Sequence, residues 1–153
     1  MTIHFGDSTS ISSGGALGKV ANMSTSQFCA TISSASYTSL TGHSVSLTPS
    51  SSSSKFLIII ESAGTQNNGA SNSGFRITRY KHTSASTTEL HTGNAYANPG
   101  GIRSLVPMFS NYLDQPSTTE QLTYAVDFKT QNSGGLGTAS YGACGSITVL
   151  EIT

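Results

Sequence analysis

The sequence predicts an all-β protein, and three observations carry the prediction. Hydroxyls replace charge: 28 serines and 20 threonines stand against 14 Asp, Glu, Lys and Arg in 153 residues, where an ordinary soluble domain is about a quarter charged. Apolar residues fall in short runs, several with a period of two, the spacing that puts every second side chain on one face of a strand. Gly, Pro, Asn and Ser punctuate these runs at intervals of about 8–12 residues, as they do in sandwiches, jelly rolls and barrels. A chain rich in Ser, Thr and Gly is otherwise a candidate for disorder. The ordered placing of its β-branched and aromatic residues decides against that. At this length the chain makes one domain with a modest core.

Residues 1–18 hold Gly6, Gly14, Gly15 and Gly18 among serines, and read as a flexible N-terminal arm ahead of a sandwich domain over 19–153. Two strand-like pieces follow, Lys19 to Met23 and Ser26 to Ile32. Ala35 to Leu40 and Ser44 to Leu47 read as short strands parted by a turn at Thr41-Gly42-His43. Thr48-Pro49 and five serines close this unit, because proline cannot donate to a ladder. Lys55 to Ser62 is the strongest strand; its unbroken apolar run Phe56 to Ile60 wants cover on both faces. Gly64 to Gly74, with its Asn and Gly residues, reads as a surface loop. Phe75 to Tyr80 alternates and is a strand, Thr87 to His91 is a short one, and Asn98-Pro99-Gly100-Gly101 is a turn. Ser104 to Leu113 is apolar enough for a strand, and Pro107 pushes it to an edge or a bulge. Leu122, Tyr124, Val126 and Phe128 alternate with Thr123, Ala125, Asp127 and Lys129, giving a further strand. Asn132 to Gly137 turns the chain, and Ser146 to Ile152 is the last strand. The total is about eight to ten strands, with no helix and no fixed repeat.

Charge narrows the function. Seven bases balance seven acids and the pI is about 6.9, so no field of either sign gathers phosphate backbones or anionic lipid. Nucleic acid and membrane are therefore not expected partners. The longest apolar run, Phe56 to Ile60, is far below the roughly 20 residues of a spanning helix, and the N-terminus shows no signal-peptide pattern. Cys29 and Cys144 either pair across the sheets or stay as free thiols, and free thiols are the expectation for a protein assembled in a reducing cytoplasm. Few charges are available to blunt the sheet edges, and together with the doubly apolar Phe56 to Ile60 run this points to a homo-oligomer.

Four phrases occur in a fixed order: His4-Phe5-Gly6-Asp7-Ser8-Thr9-Ser10 leading to Gly18-Lys19-Val20; Thr41-Gly42-His43-Ser44-Val45-Ser46-Leu47-Thr48-Pro49 before Ser54-Lys55-Phe56-Leu57-Ile58; Asp114-Gln115-Pro116-Ser117-Thr118-Thr119 before Leu122-Thr123-Tyr124-Ala125-Val126; and Ser146-Ile147-Thr148-Val149-Leu150-Glu151-Ile152. In these the chain resembles the small jelly-roll virion proteins of tailed bacteriophages, many of them marine or cyanobacterial, and the C-terminal head of some tail fibres. The resemblance covers residues 1–62 and 104–153. Gln115 departs from it, standing where a smaller turn residue is expected. The resemblance implies an antiparallel jelly-roll sandwich, a homotrimer, and a virion location reached by assembly in the host cytoplasm. Its partners would be other copies of itself and the major capsid protein or other virion proteins. The chain lacks the heptads and β-helix repeats of a fibre shaft, so a capsid decoration or cement protein is expected. The alternative is a tail-fibre or spike tip that binds a host receptor or surface glycan.

No catalytic group, metal site or cofactor is expected. His82, Glu89 and His91 are the residue types of a metal site, but their spacing matches no zinc signature. His4, Asp7 and Ser8 have the residue types of a hydrolase triad, yet lie together on an arm without the strained turn and oxyanion hole a triad needs. Nothing in the sequence brings two carboxylates to the roughly 5–9 Å separation of a glycosidase. The candidate functional residues are therefore contact residues. The arm residues His4, Phe5, Asp7, Ser8, Thr9 and Ser10 are candidates for gripping a capsid. Phe56, Ile58, Ile60, Leu122, Tyr124, Val126, Phe128, Ile147 and Val149 are candidates for the trimer axis or the monomer core, which the sequence does not separate. Gln66, Asn67, Asn68, His82, His91 and Tyr96 are candidates for exposed recognition loops.

Overall fold

The computed structural model describes the backbone of residues 2–4, 10–12, 20–32, 34–67, 71–97, 104–132 and 140–153, and side chains within 23–27, 34–39, 42–62, 74–94, 109–130 and 144–153. The described secondary structure is entirely β: β1 (Thr2–His4), β2 (Ser10–Ser12), β3 (Val20–Ile32), β4 (Thr38–Leu47), β5 (Lys55–Asn67), β6 (Ser71–Lys81), β7 (Ser86–Ala97), β8 (Ser104–Asp114), β9 (Leu122–Asn132) and β10 (Ser140–Ile152).

The last eight strands form two antiparallel sheets of four, in the orders β3-β10-β5-β8 and β4-β9-β6-β7. The pairing is nested. β6 pairs with β7, β5 with β8, β4 with β9 and β3 with β10, and the contacts β10–β5 and β9–β6 complete the sheets. Between consecutive strands of this set the chain changes sheet at every connection except the β6–β7 hairpin. β1 and β2 pair separately as a short antiparallel ribbon within the first 18 residues.

Several strands are longer than the sequence suggests. The two pieces expected over 19–32 are one strand, β3. The turn expected at Thr41-Gly42-His43 lies inside β4, where the register jumps between Ser39 and Ser44 and residues 40–43 face Val126 alone. Gly42 takes a φ of 85° there, a left-handed conformation that glycine adopts without a Cβ clash. The bulge lets the strand continue and brings His43 inward, 5.3 Å from the Phe128 ring. The loop expected over 64–74 is mostly strand, because β5 runs to Asn67 and β6 begins at Ser71. Cross-strand pairing carries these polar residues, and no local preference for strand is needed. β8 is an edge strand, where Pro107 costs no interior ladder bond.

The core lies between the two sheets. Phe56, Ile58, Ile60, Ile77, Leu122, Tyr124, Val126, Phe128, Ile147 and Val149 are completely or almost completely buried, with Val45, Leu47 and Phe75 beside them. Each such side chain contributes about 1.5–3 kcal/mol by leaving water. Phe56 and Tyr124 meet across the sandwich at 5.6 Å between ring centroids, so the strongest strand of one sheet is keyed to the clearest alternating strand of the other.

Candidate functional site

The period of two decides what each strand shows to the outside. On the β4-β9-β6-β7 sheet the outward residues are hydroxyls and charges that satisfy one another. Ser46 and Thr123 share a hydrogen bond at 2.7 Å, and His82 Nε2 lies 2.8 Å from Thr123 Oγ1. Asp127 accepts from Ser39 Oγ and from Arg76 Nε, the latter at 2.7 Å. The Tyr37 ring lies against two cations, 4.8 Å from the Arg76 guanidinium and 4.5 Å from Lys129 Nζ. This face is finished by its own chain.

The opposite face is not. With Phe56, Ile58 and Ile60 turned inward, Leu57 and Ile59 must point out of the same strand. The register then aligns them with outward residues of the three other strands. Met23, Leu150, Leu57 and Leu113 stand in one row across the full width of the β3-β10-β5-β8 sheet. Thr25, Thr148, Ile59 and Asn111 form the next row, and Gln27, Ser146, Glu61 and Phe109 the third. Met23, Phe109 and Leu113 are 65%, 69% and 54% exposed, while Leu57, Ile59 and Leu150 are half-buried. Beside Phe109 is a shallow depression of about 380 Å³ lined by Gln27, Glu61, Ser62, Phe109, Cys144, Gly145 and Ser146. Its floor follows from close strand packing: a Cβ at Gly145 would overlap the Glu61 carbonyl oxygen and lie 2.8 Å from Ser62 Cα. The face thus combines a continuous apolar row with scarce charge.

The edges point the same way. Of the 14 charged residues, eight lie on the four central strands and two, Glu89 and Asp114, on the four edge strands β3, β4, β7 and β8. Asp114 is turned inward, where Arg79 Nη1 donates to both its oxygens at 2.7 Å. Charge normally guards an edge against a foreign strand; here it guards the centres.

The acids with interior positions are engaged within the chain. Besides Arg79, Asp114 accepts from Tyr124 Oη at 2.8 Å, and burial first, then the neighbouring carboxylate, pushes the Tyr124 phenol far above its ordinary value. Glu151 is 1% exposed and is cradled by the serine run. Ser50 N and Ser50 Oγ donate to its Oε1 at 2.6 Å and Ser54 Oγ at 2.7 Å. Burial alone would raise the Glu151 carboxyl, but these donors outweigh it and hold the group below the usual carboxylate range. These arrangements fix strands and loops.

The residues singled out from the sequence separate into three groups. Phe56, Ile58, Ile60, Leu122, Tyr124, Val126, Phe128, Ile147 and Val149 all lie in the interior of one copy. Their alternates on β5 and β10, Leu57, Ile59, Thr148 and Leu150, carry the outward surface; the second apolar face of β5 is expected from the sequence, and its continuation onto β10, β3 and β8 is not. The unbroken run Phe56 to Ile60 was the available signal, and a row across four strands becomes visible only with the register. His4 and Ser10 face each other in the β1–β2 ribbon, while Phe5, Asp7, Ser8 and Thr9 lie outside the described residues. Among the recognition candidates, Asn68 lies outside the described residues, and the side chains of Gln66, Asn67 and Tyr96 do too. His82 is exposed in the β6–β7 turn, and His91 stacks on Tyr112 with centroids 5.9 Å apart. Glu89 lies 3.6 Å from Arg76 Nη1, so the His82, Glu89, His91 set is dispersed over different neighbours. Cys144 is disulfide-bonded, which corrects the expected free thiols. The register places Cys29 directly opposite it on β3, within one sheet and not between sheets.

No family model matches the chain, and no curated protein matches it. Among solved structures it is similar to that of infectious bursal disease virus Gx strain, with 17% identity and a TM-score of 0.48 over 87% of this chain and 33% of that one. The Gt strain structure of the same virus gives 17% identity and a TM-score of 0.47 over 84% and 32%. Its VP2 subviral particle gives 18% and 0.42 over 84% and 32%. The chain spans about a third of the length of the chains it matches.

Proposed function

We propose that this chain is a non-enzymatic structural subunit of a virion, a jelly roll that acts as a homotrimeric capsid decoration or cement protein. The observation that carries the reading is the apolar row Met23, Leu150, Leu57 and Leu113 across one whole sheet face, on a chain whose other outward face is polar and self-satisfied. A contiguous apolar row of this kind marks an interaction face, and contact is on this reading the work of the molecule. Support for the jelly roll is the nested pairing, in which a long antiparallel ribbon rolls up so that its first strand meets its last. Eight-stranded rolls of this kind serve viral capsids, and also lectins and cupins. The hydroxyl-rich composition fits burial between copies, because hydroxyls are desolvated at far lower cost than charges.

The arm is the proposed grip on the capsid. Its polar chain offers hydroxyls that can bond a partner backbone without desolvating charge. Particles lacking the protein, mixed with purified full chain and with chain lacking residues 1–17, test this reading. The full chain is expected to bind stoichiometrically. The truncated chain is expected to keep its strand-type circular dichroism spectrum and its oligomeric state while losing particle binding. Full binding by the truncated chain refutes the arm. Absence of binding by the full chain, combined with binding to host cells or their glycans, replaces the capsid role with that of a tail tip.

A further inference from the structure

We infer that the outward face of the β3-β10-β5-β8 sheet seats the same face of a second copy of this chain, related by a twofold axis that runs across the strands near Ile58. The inference rests on the assembly reading above and adds to it a contact between copies that a threefold arrangement alone does not contain. Four observations lead to it. The face is large enough. Four strands about 4.8 Å apart and the seven residues of β5 from Lys55 to Glu61 cover about 19 by 23 Å, a flat footprint of about 440 Å². Side-chain relief and the strand lengths beyond these residues add to this; an ordinary stable interface buries roughly 800 Å² per partner.

The face is apolar at its middle. Leu57 and Ile59 are consecutive outward residues of β5, and Leu150 flanks Leu57 on β10. Its charges are arranged for self-recognition. Lys55 and Glu61 both point outward and are exposed, and neither makes an ion pair among the described residues. They have opposite signs and lie on one strand, six residues or about 20 Å apart. Turning a copy end over end about an axis between Leu57 and Ile59 lays β5 antiparallel on β5. Leu57 then meets Ile59 of the partner copy twice, and Lys55 meets Glu61 of the partner copy twice. A contact of this type is isologous, so each attraction is made in duplicate. Finally, aligned packing of two sheets face to face is an ordinary arrangement, with strands within about 30° of one another. In a trimeric protein the contact would tie one trimer to the next, which is the mechanical task of a cement protein.

Sedimentation velocity over a range of concentrations tests the inference with four proteins: wild type, Lys55→Glu, Glu61→Lys, and the double exchange. Wild type is expected to pair reversibly, its basic oligomer doubling in mass. Each single reversal sets like charges against each other at both symmetric positions and should raise the dissociation constant about tenfold or more, less so in high salt. The double exchange restores opposite charges and should return the constant to within about threefold of wild type. Leu57→Asn, which leaves the core untouched, should also abolish pairing. The inference is overturned by a wild type that never doubles, by single reversals without effect, or by a double exchange that fails to rescue. Its failure is distinct from failure of the virion reading: a wild type that does not double yet binds particles stoichiometrically refutes the face contact alone.

Discussion

Glu151 gives the sharpest test of how the serine run works. It is 1% exposed, and among the described residues no cation forms an ion pair with it. Its charge is held by three donors from the β4–β5 loop at 2.6 to 2.7 Å. A hydrogen bond to a charged group contributes about 1.5–3 kcal/mol net. Ser54→Ala removes one such bond and is expected to cost about that much. Glu151→Gln removes the charge behind all three and introduces a buried amide N–H, so about 3 kcal/mol or more is expected at neutral pH. The pH dependence has a definite sign. A carboxyl whose folded value lies below its unfolded value of about 4.3 stabilises the fold fully above that pH, and the contribution is lost as pH falls through the lower folded value. Urea unfolding of wild type and Glu151→Gln at pH 7 and at steps below pH 4.5 reads both quantities, and the difference between the proteins removes the other carboxylates from the comparison. The gap is expected to be widest at pH 7 and to narrow on acidification. A gap that is absent at pH 7, or one unchanged down to pH 3, refutes the cradle.

Three further expectations follow from the same geometry. Tyr124→Phe removes the bond to Asp114 at 2.8 Å and should lower unfolding stability by about 1.5–3 kcal/mol; in the wild type, one of the six tyrosines should resist ionisation in an alkaline absorbance titration until the chain unfolds. Gly145→Ala forces a Cβ into the Glu61 carbonyl and should cost about 1–3 kcal/mol by overpacking, with amide exchange quickening first where β10 meets β5. Reducing the disulfide at Cys144 should lower the urea midpoint, by an amount worth about 2–4 kcal/mol if the crosslink constrains the unfolded chain in the usual way. An unchanged midpoint after reduction would contradict the stabilising role.

The sequence made the all-β class legible because alternation is a direct image of the pleat. Leu122, Tyr124, Val126 and Phe128 alternate and are all interior. It also marked β5 as doubly apolar, which is why Leu57 and Ile59 lie outside while Phe56, Ile58 and Ile60 fill the core. What it hid belongs to pairing between distant strands. Gly42 reads as a turn residue, and only the neighbouring β9 makes it a bulge inside a continuous β4. The polar end of β5 and the start of β6 look like loop, since their strand character is supplied by partners. The row from Met23 to Leu113 draws one residue from each of four strands, so no local window contains it. Likewise the serines at 50 and 54 look like linker until Glu151, a hundred residues away, is placed between them.

On the proposed reading, this chain works by covering and being covered within a virion. Quantitative mass spectrometry of virus particles purified from cells that express it, scaled to the major capsid protein, is the measurement that bears on this most closely. The account predicts a capsid-scale copy number, in fixed proportion to the major capsid protein. A few copies per particle would move the protein to a tail tip, and its absence from particles would contradict the account.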